Sequence, residues 1–421
     1  MDGLVPRASL AIMTVFDTLW SELEPVGRFA ATGGYRRFAY APEELECREW
    51  FAAAAAQRGL DIETDRNGNL WAWWMPEGAA AREQALVIGS HLDSVPDGGA
   101  FDGPLGVVTS LAAIDAARAS GFVPSRPIAV VVFADEEGAR FGMPCAGSRL
   151  MTGQLHPDKA RALVGRDGAT MAEAMSAAGL DPRHLGPDEE RLARVGAFVE
   201  LHVEQGRSLI DSGASIGVAT AIWPHGRYRF TFRGSADHAG ATRMQDRHDP
   251  MIPFAHTALS ADSSARLSDS RATFGRIEVE PNGTNAIPST VRAWLDARAM
   301  DQATLDELVG RISATAHEWA NVNGTAIDVE VESSSGVLEF GGALRSRVAQ
   351  VIADEQGKDT IPMLPTGAGH DAGILASAGV ETAMIFVRNP TGVSHSPHEH
   401  AERDDCHAGV LALTAVIKDM A

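Results

Sequence analysis

The stretch Ala85-Leu86-Val87-Ile88-Gly89-Ser90-His91-Leu92-Asp93-Ser94-Val95, followed by Phe101-Asp102-Gly103-Pro104, decides how the chain folds. Residues 85–89 are a short apolar run, the pattern of a buried strand. One imidazole and two carboxylates follow in the loop. Val107 to Ala119 is Ala-rich and predicts a helix. Ile128 to Phe133 is a second apolar, β-branched run, ending in Ala134-Asp135-Glu136-Glu137-Gly138. Strand–helix–strand alternation predicts a mostly parallel sheet covered by helices. In such a sheet ligands bind outside the carboxyl ends of the strands. His91, Asp93, Asp102, Asp135, Glu136 and Glu137 all fall at those ends.

Working outward, residues 8–60 read as helices, including an Ala-rich one from Glu43 to Arg58 with Gly59 at its end. Ile62 to Trp74 reads as a hairpin, because Asn67-Gly68 is a strong turn signal. The pattern changes after about Gly213. Residues 228–232, 273–280, 291–296 and 326–331 alternate at period two, with helices predicted over 250–262 and 305–321. That order is β-α-β-β-α-β, a small sheet with helices on one face. Alternation implies antiparallel strands with one wet face. Beyond Val331 the α/β character returns, with helices at 344–355, 371–378 and 407–420 and a buried strand at 382–387. The fold class is therefore α/β, a mixed but mostly parallel sheet flanked by helices, with an inserted α+β ferredoxin-like domain. The expected division is 1–213 with 333–421 for the discontinuous main domain, and 214–332 for the insertion.

The bulk properties narrow the function. A length of 421 residues suits two domains. Lys and Arg number 36 against 56 Asp and Glu, a formal net charge of −20, which argues against nucleic acid or an anionic membrane as partner. The three cysteines, Cys47, Cys145 and Cys406, are far apart and in no CxxC pairing, which fits a reducing cytoplasm. Met1 to Trp20 carries Arg7 and Asp17 and no small-residue cleavage pattern, so no signal peptide is expected. Leu4-Val5-Pro6-Arg7 resembles part of a protease-site tag. No run of 18 apolar residues predicts a membrane span.

Five residues are candidate metal ligands: His91, Asp102, Glu137, His202 and His395. His202 lies at another strand end, in Phe198-Val199-Glu200-Leu201-His202-Val203-Glu204-Gln205-Gly206, and His395 in Gly392-Val393-Ser394-His395-Ser396-Pro397-His398-Glu399-His400. A lone histidine is usually just a hydrogen-bonded side chain, and His398 and His400 are read that way. Separate strand ends each delivering an imidazole or carboxylate make a different case. Crowded like charges need a cation, and imidazole with carboxylate suits Zn, Mn, Co or Ni. With one Asp bridging, five ligands serve two divalent ions, which hold and polarise a water. Glu136, beside Glu137, is then placed as general base.

At this point a family resemblance is specific. The segments 89–96, 101–103, 136–141, 202–206, Asp237-His238-Ala239-Gly240-Ala241-Thr242, Asn285-Ala286-Ile287-Pro288, Gly367-Ala368-Gly369-His370-Asp371-Ala372 and 392–397 together resemble the hydantoinase/carbamoylase family of the aminoacylase- and carboxypeptidase-like metallohydrolases. The resemblance spans about residues 15–420, in the family's order. It implies metal ligation by His91, Asp102 (bridging), Glu137, His202 and His395, with Asp93 orienting an imidazole. It implies Glu136 as base, and Gln205, His238, Asn285 and Arg298 at the substrate. Arg298 would fork onto a carboxylate, and His238 would stabilise the oxyanion from the partner subunit of a homodimer. The insertion would be a lid and dimerisation domain. Departures lie on the substrate side: Asp237, Arg243 and Trp223-Pro224-His225.

The expected reaction is hydrolysis of the amide C–N bond of an N-carbamoyl (ureido) acid, such as an N-carbamoyl-L-amino acid or allantoate, by a metal-bound hydroxide with a Glu base. The rival within enzymes is a dipeptidase or aminoacylase cleaving an N-acyl or peptide bond with the same metals. A rival from another class is a non-catalytic binding dimer that keeps a relic of the site. No ligand or base is missing, which favours the enzyme.

Overall fold

A computed structural model of the chain describes residues 7–76 and 84–421. Leu4, Val5 and Pro6 of the tag-like stretch lie outside the described residues. The chain forms two compact units, the larger up to Thr220 and from Phe340 to Ala421, the smaller Ala221–Glu339. No helix among the described residues is long and apolar enough to cross a membrane.

In the larger unit the sheet runs in the order Asp61–Thr64, Leu70–Trp74, Ile128–Phe133, Ala85–His91, Val195–Val203, Thr382–Val387 and Ile216–Ile222. The four central strands, from Ile128–Phe133 to Thr382–Val387, are parallel. The flanking pairs are antiparallel. The central strands are apolar along most of their length because both faces are covered; every residue of Ala85–His91, Ile128–Phe133 and Thr382–Val387 is buried. Helices Arg7–Leu23, Pro104–Ala119, Gly342–Glu355 and Arg403–Met420 contribute to one core through Phe16, Leu111, Val348 and Leu413. A second core holds Tyr40, Phe141, Leu150 and Met175. It uses short helices, Ala146–Met151, Pro157–Ala162 and Met171–Ala177, which are too brief to show a periodic pattern.

The units part at 220/221 and 339/340 rather than at the change of sequence pattern. The strand Ile216–Ile222 continues the large sheet before the chain leaves it, and Phe340 N donates to Thr220 O at 3.1 Å as the chain returns. Within the smaller unit the antiparallel sheet runs Ala326–Ser335, His225–Arg233, Thr290–Arg298, Arg271–Glu280. Helices Met251–Leu267 and Gln302–Val322 complete the β-α-β-β-α-β order. Strand Thr290–Arg298 alternates strictly: Val291, Ala293, Leu295 and Ala297 are buried with Phe230 and Leu308. Asp296 and Arg298 therefore sit together on the opposite face.

Gly89 precedes the first site loop with φ +143, and a Cβ there would lie 1.9 Å from Val131 O on the neighbouring strand. Gly89→Ala is expected to destabilise the larger unit by about 3 kcal/mol, from overpacking plus backbone strain. Urea unfolding checks this; a wild-type midpoint would show that the strands part without cost.

Candidate metal centre

Three of the parallel strands deliver the site. His91 ends its strand, Glu136 and Glu137 follow Ile128–Phe133, and His202 is the penultimate residue of Val195–Val203. Asp102 is the focus. Its Oδ1 lies 3.6 Å from His91 Nε2 and 3.3 Å from His202 Nε2. Its Oδ2 lies 3.6 Å from His395 Nε2, which is 3.4 Å from Glu137 Oε2. Among the described residues, His91-Asp102-His202 and Asp102-Glu137-His395 each place ligand atoms within 4.8 Å of one another. The five sequence-predicted ligands thus come together as two groups that share Asp102.

The residues around these groups fix them. His91 Nδ1 is 3.1 Å from Asp93 O, and His202 Nδ1 is 2.9 Å from Val203 O. A carbonyl only accepts, so each Nδ1 carries a proton, and in the neutral ring each Nε2 presents its lone pair. Both Nε2 atoms are buried without a hydrogen-bond partner. The Asp93 carboxylate is 3.7 Å from His91 Nδ1 and accepts from the backbone N–H of Glu136 (3.1 Å) and Glu137 (3.0 Å), which holds the Glu-Glu turn against the first loop. Gly103, at φ +86, faces the His91 ring so closely that a Cβ would lie 2.4 Å from it. The His395 loop is held by Asn389, whose Oδ1 accepts from Thr391 and Gly392 while its Nδ2 donates to Val393 O. His395 itself has φ +55, a left-handed backbone that a non-glycine residue keeps only where its surroundings hold it.

The charges explain why a cation suits the place. Burial pushes the Glu136 carboxyl well above the usual carboxylate range; His91 opposes this, while Glu137, Asp371 and Asp93 add to it. Burial, then Asp102, does the same to Glu137. Burial also works against ionised Asp102, but His202 and His91 outweigh it and hold its carboxyl well below the ordinary value. Burial alone would lower the pKa values of His91 and His202, yet the surrounding carboxylates raise both. A divalent cation competes for the same lone pairs as those protons and neutralises the excess of carboxylate. Orphaned imidazole nitrogens facing a shared carboxylate are the donor set such ions take, so the residues present fit a metal pair.

Glu136 is 93% buried, with Oε2 3.7 Å from His91 Nε2 and Oε1 3.4 Å from Cys145 Sγ. Gln205 Nε2 donates to Asp102 Oδ2 at 2.8 Å, and its Oε1 is buried with no hydrogen-bond partner. The remaining predicted residues belong to the smaller unit. Asp237–His238 pairs with Ala286–Ile287, and Ala239 N donates to Asn285 O at 2.9 Å, so His238 and Asn285 are neighbours. His238 Nδ1 accepts from the backbone N–H of Gly240 and Ala241 (3.0 and 3.2 Å), which leaves the proton of a neutral ring on Nε2. Asp237 Oδ1 accepts from the backbone N–H of His238. Asp296 grips Arg298 with two parallel bonds, Nε–Oδ1 at 2.7 Å and Nη2–Oδ2 at 3.1 Å.

Further titratable residues, to which the sequence assigns no role, lie beside these groups. His370, Glu200 and His202 form a third group of potential ligand atoms, and the His370 ring packs edge-on to His202 with centroids 4.6 Å apart. Burial, then His202, keeps the His370 imidazole well below its ordinary pKa. Glu399 Oε1 accepts from the backbone N–H of Phe101 and Asp102, both at 2.9 Å. That ties the Asp102 loop to the His395 loop. Burial, with Asp102 adding, pushes the Glu399 carboxyl up to about 7. In sequence, Glu399 is marked only by its place in the run Ser394-His395-Ser396-Pro397-His398-Glu399, where the histidines are the more prominent ligand types.

Comparison with known proteins agrees with this architecture. The description Peptidase family M20/M25/M40 matches residues 87–419. The chain is 36% identical over 413 residues to an N-carbamoyl-L-amino acid amidohydrolase of Geobacillus stearothermophilus, covering 96% of this chain and 98% of the relative. It is 32% identical over 393 residues to the allantoate amidohydrolase of Escherichia coli strain K12, covering 92% and 93%. The crystal structure of an amidase of the hydantoinase/carbamoylase family from Burkholderia vietnamiensis superposes with a TM-score of 0.84 at 28% identity, covering 97% of each chain. The chain belongs to peptidase family M20/M25/M40 and, within it, to the hydantoinase/carbamoylase amidohydrolases.

Proposed function

We propose that this amidohydrolase cleaves the amide C–N bond of an N-carbamoyl (ureido) acid, such as an N-carbamoyl-L-amino acid or allantoate, with two divalent ions per subunit. The observation that carries the reading is the pair of ligand groups sharing Asp102 beside a buried Glu136. The activities of the Geobacillus and Escherichia relatives support the ureido class. His91, Asp102 and His202 would hold one ion, and Asp102, Glu137 and His395 the other. Bound there, Zn, Mn, Co or Ni ions supply Lewis-acid polarisation of the scissile carbonyl and of water. Glu136 takes the proton of the attacking water and delivers it to the departing nitrogen. Gln205 and Asn285 hydrogen-bond the ureido group, and His238 donates Nε2–H to the developing oxyanion. Arg298, its fork held in plane by Asp296, grips the acid.

The test is a panel. Ammonia release from N-carbamoyl-L-amino acids and allantoate is assayed beside amine release from N-acetyl amino acids and dipeptides, across the four metals. Ammonia from a ureido acid supports the reading; amine release alone hands the site to the aminoacylase or dipeptidase alternative.

Two expectations follow from the smaller unit. Arg298→Lys should raise KM about 10- to 100-fold with kcat little changed, because an ammonium lacks the planar fork. Steady-state kinetics decide it, and equal wild-type activity on the acid and its carboxamide would remove the role. We further propose that the smaller unit is a lid and dimerisation domain, with His238 serving the partner subunit's site. Leu259, Leu267 and Ile277 are exposed apolar side chains of this unit. Mixing inactive Glu136→Gln with inactive His238→Ala subunits should then restore turnover, since one site of the mixed dimer has both groups intact. No recovery after confirmed subunit exchange would place His238 in its own chain's chemistry or in none. The free, buried Cys47, Cys145 and Cys406 support a reducing, cytoplasmic setting.

A further inference from the structure

We infer that Cys145 is a positioning residue for Glu136: its thiol donates to Glu136 Oε1 and so turns Oε2 toward the reacting water. The inference rests on the reading of Glu136 as base and adds a residue to that machinery.

The geometry starts with the backbone. Cys145 N donates to Glu136 O at 2.6 Å, Ala146 N to Asp135 O at 3.0 Å, and Gly147 N to Ala134 O at 2.8 Å. Three successive bonds therefore dock residues 145–147 against the turn that carries the base. Asn69 clamps the same junction, with Oδ1 accepting from Ala134 N at 3.0 Å and Nδ2 donating to Gly147 O at 3.4 Å. Cys145 has φ +55 and caps the helix Ala146–Met151. A non-glycine residue in the left-handed region is kept there only by its surroundings, and here they aim the side chain.

The side-chain arrangement follows. Glu136 has its N–H bound to Asp93 and its C=O bound to Cys145, so only its side-chain torsions remain to be set. Sγ lies 3.4 Å from Oε1, within the range of a sulfur hydrogen bond. Oε2 lies on the side of His91. Burial, with the charge of Glu136 adding, pushes the Cys145 thiol well above its ordinary value, so sulfur keeps the proton it donates. Cys145 is buried, only 3% exposed, next to the proposed general base. A thiol there leaves Oε1 with a partner; a methyl does not.

A thiol is a weak donor, so its contribution is modest and falls on the chemical step. Cys145→Ala should lower kcat about three- to tenfold while KM stays within about twofold, since the group meets Glu136 and not the substrate. Cys145→Ser, whose hydroxyl also donates, should stay within about twofold of wild type in kcat. Both are assayed by ammonia release from N-carbamoyl-L-alanine or the best ureido acid of the panel, with metal content and near-UV circular dichroism measured on the same samples. In the Glu136→Gln background, Cys145→Ala should have no further effect. A folded, fully metallated Cys145→Ala with wild-type kcat overturns the inference, as does a Cys145→Ser as slow as the alanine variant. An additive loss in the double variant also overturns it, because Cys145 would then act elsewhere than through the base. If Cys145→Ala does not fold, Cys145→Ser alone decides: near-full turnover supports the donor, and a folded but slow enzyme refutes it. Wild-type turnover in Glu136→Gln by itself would instead remove the base reading, whereas collapse of Glu136→Gln with unchanged Cys145→Ala removes only the role of the thiol.

Discussion

Glu136→Gln is expected to keep its divalent ions and to lose about 10²–10⁴-fold of turnover, the range that general base catalysis supplies. Among the described residues the candidate ligand groups do not include Glu136: His91, Asp102 and His202 form one, Asp102, Glu137 and His395 another, and Glu200, His202 and His370 a third. The substitution keeps volume and shape, so the adjoining turn, held by Asp93 and Cys145, has no reason to move. What is lost is the basic oxygen. Metal analysis and steady-state kinetics on one preparation separate the two effects. Near-normal turnover would show that another group takes the proton, and loss of the metals would make Glu136 a ligand.

Asp102→Asn is expected to do the reverse, losing bound metal first and turnover as a consequence. Asp102 alone belongs to both ligand groups, one oxygen facing His91 and His202 and the other facing His395. An amide offers one weak neutral oxygen in place of two charged ones, so neither of the two proposed ions would keep its set. Metal content should fall below two ions per chain, with turnover reduced by at least about 10³-fold, since metal activation is worth several kcal/mol of barrier. Retention of two ions and substantial turnover would mean that the two groups do not share this carboxylate.

The strands that build the site were legible because both their faces are buried. Ala85–His91, Ile128–Phe133 and Thr382–Val387 are buried throughout and apolar along most of their length, and composition marks such runs. The small sheet was legible for the opposite reason, one wet face giving the alternation seen in Thr290–Arg298. The five candidate ligands stood out in the sequence because each sits at or just beyond a strand end or in a loop dense with turn residues, and the fold brings them together in the two groups that share Asp102. What escaped depends on contacts between distant segments. Glu399 secures Asp102 across 297 positions of chain, and no local pattern announces that bond. His370 shares a motif with the family but acquires meaning only against the ring of His202. The short helices between Ala146 and Ala177 are too brief for a periodic signal. One of them carried a readable sign in Thr170 and Glu173, a capping box with both reciprocal bonds formed. The boundary strand Ile216–Ile222 escaped because it belongs to the large sheet while lying next in sequence to the small one.

The central claim, hydrolysis of a ureido acid at two ions that share Asp102, is tested most directly by metal stoichiometry against turnover. The protein is stripped with a chelator and titrated with Zn, Mn, Co or Ni while ammonia release from a ureido acid is followed. The account predicts no turnover in the stripped protein and recovery that saturates at two ions per chain. Saturation at one ion, or full ammonia release from the stripped protein, would contradict it.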